Sequence, residues 1–147
     1  MYNESENNSQ NSILYNNNEI IGFIEIPNIN IYYPIFANIN DELLKISPCR
    51  FSGPLPNNIG NLCIAGHNYD NNKFFSKISS LKNNDIIYVY DISNKKLAYN
   101  VFANYEVNSN DLSPTIENNS NIRELTLVTC NNYNSNRIII KAKNGNL

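Results

Sequence analysis

The stretch Glu124-Leu125-Thr126-Leu127-Val128-Thr129-Cys130, followed by Asn131-Asn132-Tyr133-Asn134-Ser135-Asn136 and then Arg137-Ile138-Ile139-Ile140-Lys141-Ala142, decides how this chain is read. From 124 to 130 the pattern alternates as in a strand, with Leu125 and Leu127 on one face and Thr126, Val128 and Cys130 on the other. The run from Arg137 is a second β-rich segment: Ile138, Ile140 and Ala142 share one face and Arg137 takes the other. Six loop-forming residues between two strands predict a hairpin. The end of the first strand then lies beside the start of the second. Cys130 and Arg137 fall close together, off the packed face, at the rim of a sheet. A thiol beside a permanent cation is the setting in which a cysteine becomes a nucleophile.

Such a cysteine needs a base, and the chain has one histidine. It is His67, in Leu62-Cys63-Ile64-Ala65-Gly66-His67-Asn68, an apolar run closed by a glycine and again a polar residue at a strand end. Cys and His co-occur in most proteins, so the pair alone is a weak signal. The ordered pattern is stronger: Gly66-His67-Asn68, then Thr126-Leu127-Val128-Thr129-Cys130, then Arg137 seven positions after the cysteine. It resembles the sortases, cysteine transpeptidases of Gram-positive cell surfaces, whose hallmarks are a T-L-x-T-C strand end, a downstream Arg and an upstream His. Ile21-Gly22-Phe23-Ile24-Glu25-Ile26-Pro27-Asn28-Ile29 and Tyr33-Pro34-Ile35-Phe36 look like the first two strands of that family. The resemblance runs from about Ile20 to Lys143.

A chain of 147 residues fits one domain and is long enough to bury a core. A hydrophobic fraction of 41%, with ten Tyr and six Phe, marks it as globular rather than disordered. A formal charge of −2 gives no basic surface of the kind nucleic acid requires, so nucleic acid is not an expected partner. The abundance of Asn, Ile, Lys and Tyr, all with AT-rich codons, points to genome composition as the source of much of the asparagine. Three cysteines leave at least one unpaired. Cys49 and Cys63 admit a bridge, but a domain of this size needs no staple, and a buried Cys63 acting as a small hydrophobe is the favoured reading. No run approaches the ~18 apolar residues of a membrane span, and nothing resembles a signal peptide. Sortases usually carry an N-terminal anchor; the polar start at Met1 favours a trimmed, soluble piece whose anchor lies outside it.

Residues 1–19 read as a flexible polar lead-in around Ile13-Leu14-Tyr15, and 20–147 as the sortase catalytic domain. Residues 21–36 give two short strands. Asn40 to Ile46 suits a turn or two of helix capped by Asn40 or Asp41. Ser47 to Asn61, rich in Pro and Gly, is expected as loop serving chain reversal rather than substrate contact. Lys73 to Leu81 spaces Phe74, Ile78 and Leu81 as an amphipathic helix. Asp85 to Asp91 is a strand. Lys96 to Val107 alternates along its whole length, with Leu97, Tyr99, Val101, Ala103, Tyr105 and Val107 on one side. Many short strands with one or two short helices argue for an all-β barrel, and the resemblance implies a closed sortase-type barrel of about eight strands.

A free thiol titrates near ~8.5 and an imidazole near ~6.5, so without help the thiolate–imidazolium pair is scarce. Mutual attraction and the fixed charge of Arg137 favour it. A guanidinium beside an attacked carbonyl also stabilises the growing oxyanion, and an imidazole protonates a departing amine. The resemblance makes this a defined reaction. Cys130 is implied as nucleophile, His67 as general acid and base, and Arg137 as oxyanion ligand. The substrate implied is an LPXTG-like sorting signal, and the thioester is resolved by an amine of a cell-wall precursor or pilin. Thr129 is a candidate groove residue. The segment Asn108–Arg123 takes the position of the loop that covers the sorting signal in sortases, with Leu112 and Ile116 as its best apolar contacts. The implied location is the outer face of a Gram-positive membrane.

No cofactor is expected. Some sortases use calcium near this loop, and Glu106, Asp111 and Glu117 lie in its neighbourhood, but no ligand spacing stands out. Among subclasses, the short loop before the cysteine strand counts against class B and the sequence around His67 and Phe74-Phe75 speaks for it. Class C, whose members tend to carry an aspartate–aromatic lid and a C-terminal membrane helix, is ranked low because the chain has no tryptophan and ends at Leu147. A class D-like or otherwise divergent clostridial-type member is the first expectation and class B-like the second. Two other readings stand beside the transpeptidase. One is a papain-like hydrolase, disfavoured because His67 precedes Cys130 and both sit at strand ends. The other is a non-catalytic β-barrel binding module.

Overall fold

The computed structural model describes residues 13–69, 71–117 and 121–145. The first two strands are β1, Ile13–Tyr15, and β2, Asn18–Ile26, joined by Asn16 and Asn17. Both asparagines have positive φ (49° and 67°), as a two-residue hairpin turn of matching twist requires. Part of the expected lead-in is therefore an edge strand. The remainder of that expectation, residues 1–12, lies outside the described residues.

The chain continues through β3 (Ile31–Phe36), a single helical turn α1 (Asp41–Leu44), β4 (Cys49–Ser52) and β5 (Gly60–Ala65). It then forms β6 (Ile86–Asp91), β7 (Lys96–Val107), β8 (Arg123–Cys130) and β9 (Arg137–Asn144). The Asn40 side chain accepts from the Leu43 N–H at 2.8 Å and caps α1, as its sequence suggests. The strand order is β2-β3-β4-β5-β8-β9-β7-β6, and pairing of β6 with β2 closes it into an eight-stranded barrel with β1 appended. Closure leaves no open edge in the barrel wall.

The barrel interior is filled by alternate residues of these strands. Ile24, Ile26, Ile35, Ile87, Val89, Leu125, Leu127 and Ile140 are all fully buried. Each contributes about 1.5–3 kcal/mol over an exposed position. Phe75, Ile78 and Leu81, from the β5–β6 connection, complete the same cluster. This connection corrects the expected amphipathic helix over Lys73 to Leu81, because only Ile78–Ser80 makes a 3-10 turn. Phe74 has φ +54°, which no α-helix accommodates, and the Phe75 N–H donates to the His67 carbonyl. The apolar spacing is real, but it serves burial of an irregular segment rather than a helix face.

Two more readings change. Ser47 to Asn61 contains β4, paired with β5, so the segment is more than loop. The uninterrupted alternation of β7 is broken by a bulge between Val101 and Ala103. Beyond it, Asn104 stands opposite the inward Ile140, and Tyr105 and Val107 share the outer face with Ile139 and Arg137. The asparagine content also has a structural component. Of the nine non-glycine residues with positive φ among the described residues, eight are asparagine, the side chain that tolerates that region best after glycine. Cys49, Cys63 and Cys130 are all free thiols. Among the described residues no helix is long and apolar enough to cross a membrane.

Candidate active site

Strand direction assembles the site. β5 and β8 pair in parallel, Ala65 beside Val128, so both finish at the same rim of the barrel. β9 is antiparallel to β8, with Cys130 paired to Arg137, so it begins at that rim. His67 follows β5 by one intervening residue, Gly66. The candidate nucleophile, base and cation thus come from three adjacent strand ends.

Cross-bonds hold these ends in place. The Gly66 N–H donates to the Val128 carbonyl, and the Thr129 hydroxyl donates to the Gly66 carbonyl at 2.7 Å. The Asn68 amide donates to the Cys130 carbonyl at 2.8 Å, and the Asn132 amide to the Asn68 carbonyl at 3.0 Å. Glycine suits position 66 because a Cβ there would stand 2.7 Å from the buried Phe75 ring and force it to shift. The His67 ring stacks on Tyr69, with centroids 4.6 Å apart and planes 21° from parallel. Phe74 meets the edge of Tyr69, and its N–H donates to the Tyr33 hydroxyl. On the other side, Glu106 accepts from the amides of Asn131 and Asn136, which ties the β8–β9 turn to β7.

Arg137 Nη1 donates to Cys130 Sγ at 3.4 Å. Cys130 is exposed, whereas Cys49 and Cys63 are buried. Burial pushes the Cys49 thiol up to about 11 and raises Cys63 as well, the latter partly offset by hydrogen bonding to Ser52 and by the nearby Lys141 charge. Both are held as neutral thiols. Only Cys130 combines exposure with a cation in contact.

His67, Cys130 and Arg137 border one cavity of about 190 Å³, together with Ala65, Val128 and Thr129. A second cavity, of about 270 Å³, shares Phe51, Val128 and Arg137 with the first and extends along Ile139, Val107 and Leu112. The two adjoin at these shared residues, the first at the thiol and the second along the outer face of the β8–β9 hairpin, and together they are called the groove.

Not every expected contact residue is in it. Leu112 borders the second cavity, but Ile116 borders neither and is 66% exposed. Thr129 borders the first cavity, yet the residue is 3% exposed and its hydroxyl is committed to Gly66. It braces the two strand ends. Among the groove residues missed in the sequence are Phe51, Val107, Val128 and Ile139. Val128 and Ile139 were visible as apolar residues on the face opposite the core. Val107 required the bulge. Phe51, expected in a chain-reversal loop, stands at the groove because β4 pairs with β5.

The acidic residues near the loop do not converge. Glu106 is bonded to Asn131 and Asn136, Glu117 accepts from the Asn61 N–H, and Asp111 from the Ser113 N–H. Those Ser113 bonds lower the Asp111 carboxyl below its ordinary value. Among the described residues no three metal-binding side chains come together.

Residues 24–145 match the sortase domain family. The chain belongs to the sortase family. It is 31% identical over 125 residues to sortase A of Bacillus anthracis, a match covering 83% of this chain and 58% of that protein. It is 26% identical over 121 residues to sortase A of Staphylococcus aureus, covering 79% and 57%. The chain thus spans little more than half the length of these curated relatives. Its fold superposes on a lid mutant of Corynebacterium diphtheriae sortase A with TM-score 0.79, at 26% identity, over 88% of this chain and 72% of that one. It also superposes on Clostridium perfringens sortase C, solved with a C-terminal cell wall sorting motif, with TM-score 0.75, at 27% identity, over 87% and 71%. The all-β sortase barrel expected from the sequence is the fold observed. These relatives are named as sortases A and C, so they lend no support to the expected class D-like or class B-like assignment.

Proposed function

We propose that this chain is a cysteine transpeptidase that cleaves an LPXTG-like sorting signal and joins the released acyl group to an amine. The observation that carries the reading is the Arg137–Cys130 contact at the mouth of a groove that His67 also borders. The Cys130 thiolate attacks the carbonyl carbon of the signal's threonine, and the carbonyl π electrons move onto oxygen. Arg137 stabilises that oxyanion. As the C–N bond breaks, His67 gives its proton to the departing amine, and a thioester remains on Cys130. An incoming amine attacks the thioester carbonyl, its proton passes to His67, and the C–S bond breaks to restore the thiolate. Leu112, Val107, Val128 and Ile139 line the groove for an extended peptide.

The acceptor in this reading is an amine of a cell-wall precursor or pilin. The place of action is the outer face of a Gram-positive membrane. Membership of the sortase family supports both. A papain-like peptidase is disfavoured by the fold, since that architecture opens a helix with its cysteine and here Cys130 ends a strand and His67 follows one.

The test is mass spectrometry of products from a sorting peptide with and without an added amine. The wild-type chain is expected to give amine-joined product, Cys130→Ala none, and Cys49→Ala and Cys63→Ala product at near wild-type yield. Hydrolysed peptide alone at saturating amine would replace the transferase by a hydrolase. Full turnover by Cys130→Ala would end the reading.

A further inference from the structure

Two rows inward from the rim, the outer face of the same hairpin carries a second cluster that the proposed reaction does not use. Thr126 lies between Cys63 on β5 and Lys141 on β9. Lys141 faces the same side as Arg137, where a lysine would ordinarily reach into water. Here it is 9% exposed. Its ammonium donates to the Thr126 hydroxyl at 2.8 Å and to the Pro114 carbonyl, and pairs with Glu124 Oε2 at 2.9 Å. Asn61, 1% exposed, donates to the carbonyls of Pro114 and Ile116 at 2.9 and 3.1 Å. Its own oxygen accepts from the Thr126 hydroxyl, and its N–H donates to Glu117.

All of this converges on one short segment, the 3-10 turn Ser113–Thr115 and its neighbour Ile116. The segment is held to the sheet by its main-chain carbonyls; the side chains of Leu112 and Ile116 remain exposed. Main-chain docking fixes the path of the backbone whatever the side chains do. That path carries Leu112, Pro114 and Thr115 along the cavity whose other members include Val128, Arg137 and Ile139. Burying an ion pair is costly, and apolar residues of similar volume often stabilise a fold as well. What the charged pair adds is direction: an ammonium must be met by oxygens at defined positions, whereas an apolar plug accepts many loop paths.

We propose that Lys141, supported by Glu124, Thr126 and Asn61, is a positioning cluster that pins the β7–β8 connection as the outer wall of the peptide groove. It thereby sets how tightly a sorting peptide binds, without touching the reacting atoms. This rests on the transpeptidase reading for its substrate and on the observed bonds for the anchoring.

The experiment compares the wild-type chain with Lys141→Met, the double variant Lys141→Met/Glu124→Gln, and Thr126→Ser. Three quantities are read: amide hydrogen exchange over residues 108–117, kcat and KM for a sorting peptide, and the rate of Cys130 alkylation by iodoacetamide. In both Lys141 variants, exchange over 108–117 and KM should each rise by about tenfold, while kcat and alkylation stay within about twofold. Thr126→Ser, which keeps the hydroxyl, should remain near wild type throughout. Unchanged exchange would overturn the anchoring, and faster exchange with unchanged KM would overturn its role in binding. An equal fall in kcat and alkylation would show general loosening of the barrel, which also overturns it. The double variant guards against an effect due only to the Glu124 charge. Absence of peptide turnover in the wild-type chain would reject the transpeptidase reading and the substrate half of this proposal, while exchange still decides the anchoring.

Discussion

Cys130–Arg137 and Thr126–Lys141 are two versions of one arrangement on a single hairpin. In each, a side chain of β8 with a nucleophile-type atom stands across from a cation of β9, on the outer face of the barrel. The first pair opens onto the groove, with Arg137 3.4 Å from the thiol. The second lies under the 3-10 turn, and its ammonium is met by a carbonyl, a hydroxyl and a carboxylate. Strand pairing alone does not separate an open pair, the proposed reactive one, from an enclosed one. Coverage does, because an enclosed cation fully met by oxygens has nothing left for a substrate.

The largest effect that can break this comparison is at the open pair. Cys130→Ala should reduce transfer about 10⁴-fold or more, measured as kcat/KM on a sorting peptide, with melting temperature unchanged because the thiol is exposed. Next comes Arg137→Lys, which keeps the charge and loses the planar fork. If Arg137 holds the oxyanion, kcat/KM should fall roughly 10²–10³-fold with folding intact. A near-normal rate would mean that charge alone matters at the rim, and the two cations would then differ only in their coverage.

Smaller effects sharpen the account of the groove wall. Leu112→Ala should raise KM about three- to tenfold, whereas Ile116→Ala, outside both cavities, should leave it unchanged in the same assay. Equal effects would mean that both side chains meet the peptide.

The smallest expected change concerns the buried thiols. Burial raises the Cys49 thiol to about 11, so its neutral form favours the folded state. The contribution is fully present below about pH 9 and is lost as pH rises toward the folded value. Stability from denaturant titration should fall by about 1 kcal/mol between about pH 8 and pH 10 from this group alone. Cys49→Val should remove that part of the slope without altering transfer. An unchanged slope would mean that the thiol is less enclosed than its packing against Phe36 and Leu43 indicates.

Much was decided by the sequence itself. Alternation in 124–130 and 137–142 is a local property of each strand, and a six-residue turn leaves few partners for it. Hence the hairpin, the Cys130–Arg137 neighbourhood, the all-β class and the capped turn at Asn40 were all legible. Tertiary structure alone decided the rest. The parallel pairing of β5 with β8 joins segments more than sixty residues apart, as the Thr129–Gly66 bond illustrates at a separation of 63. No local pattern encodes which strand lies beside another, and it is this pairing that brings His67 to the rim of Cys130. The β7 bulge turned Val107 into the groove against its own alternation. The irregular plug at 73–81 took apolar spacing that a helix would also have satisfied. Alternation puts Lys141 on the outer face beside Arg137, and its burial there depends on a turn that begins 28 residues earlier in the chain, at Ser113. In each case the deciding free energy belongs to contacts between distant segments, and the pattern of any one segment is compatible with more than one of them.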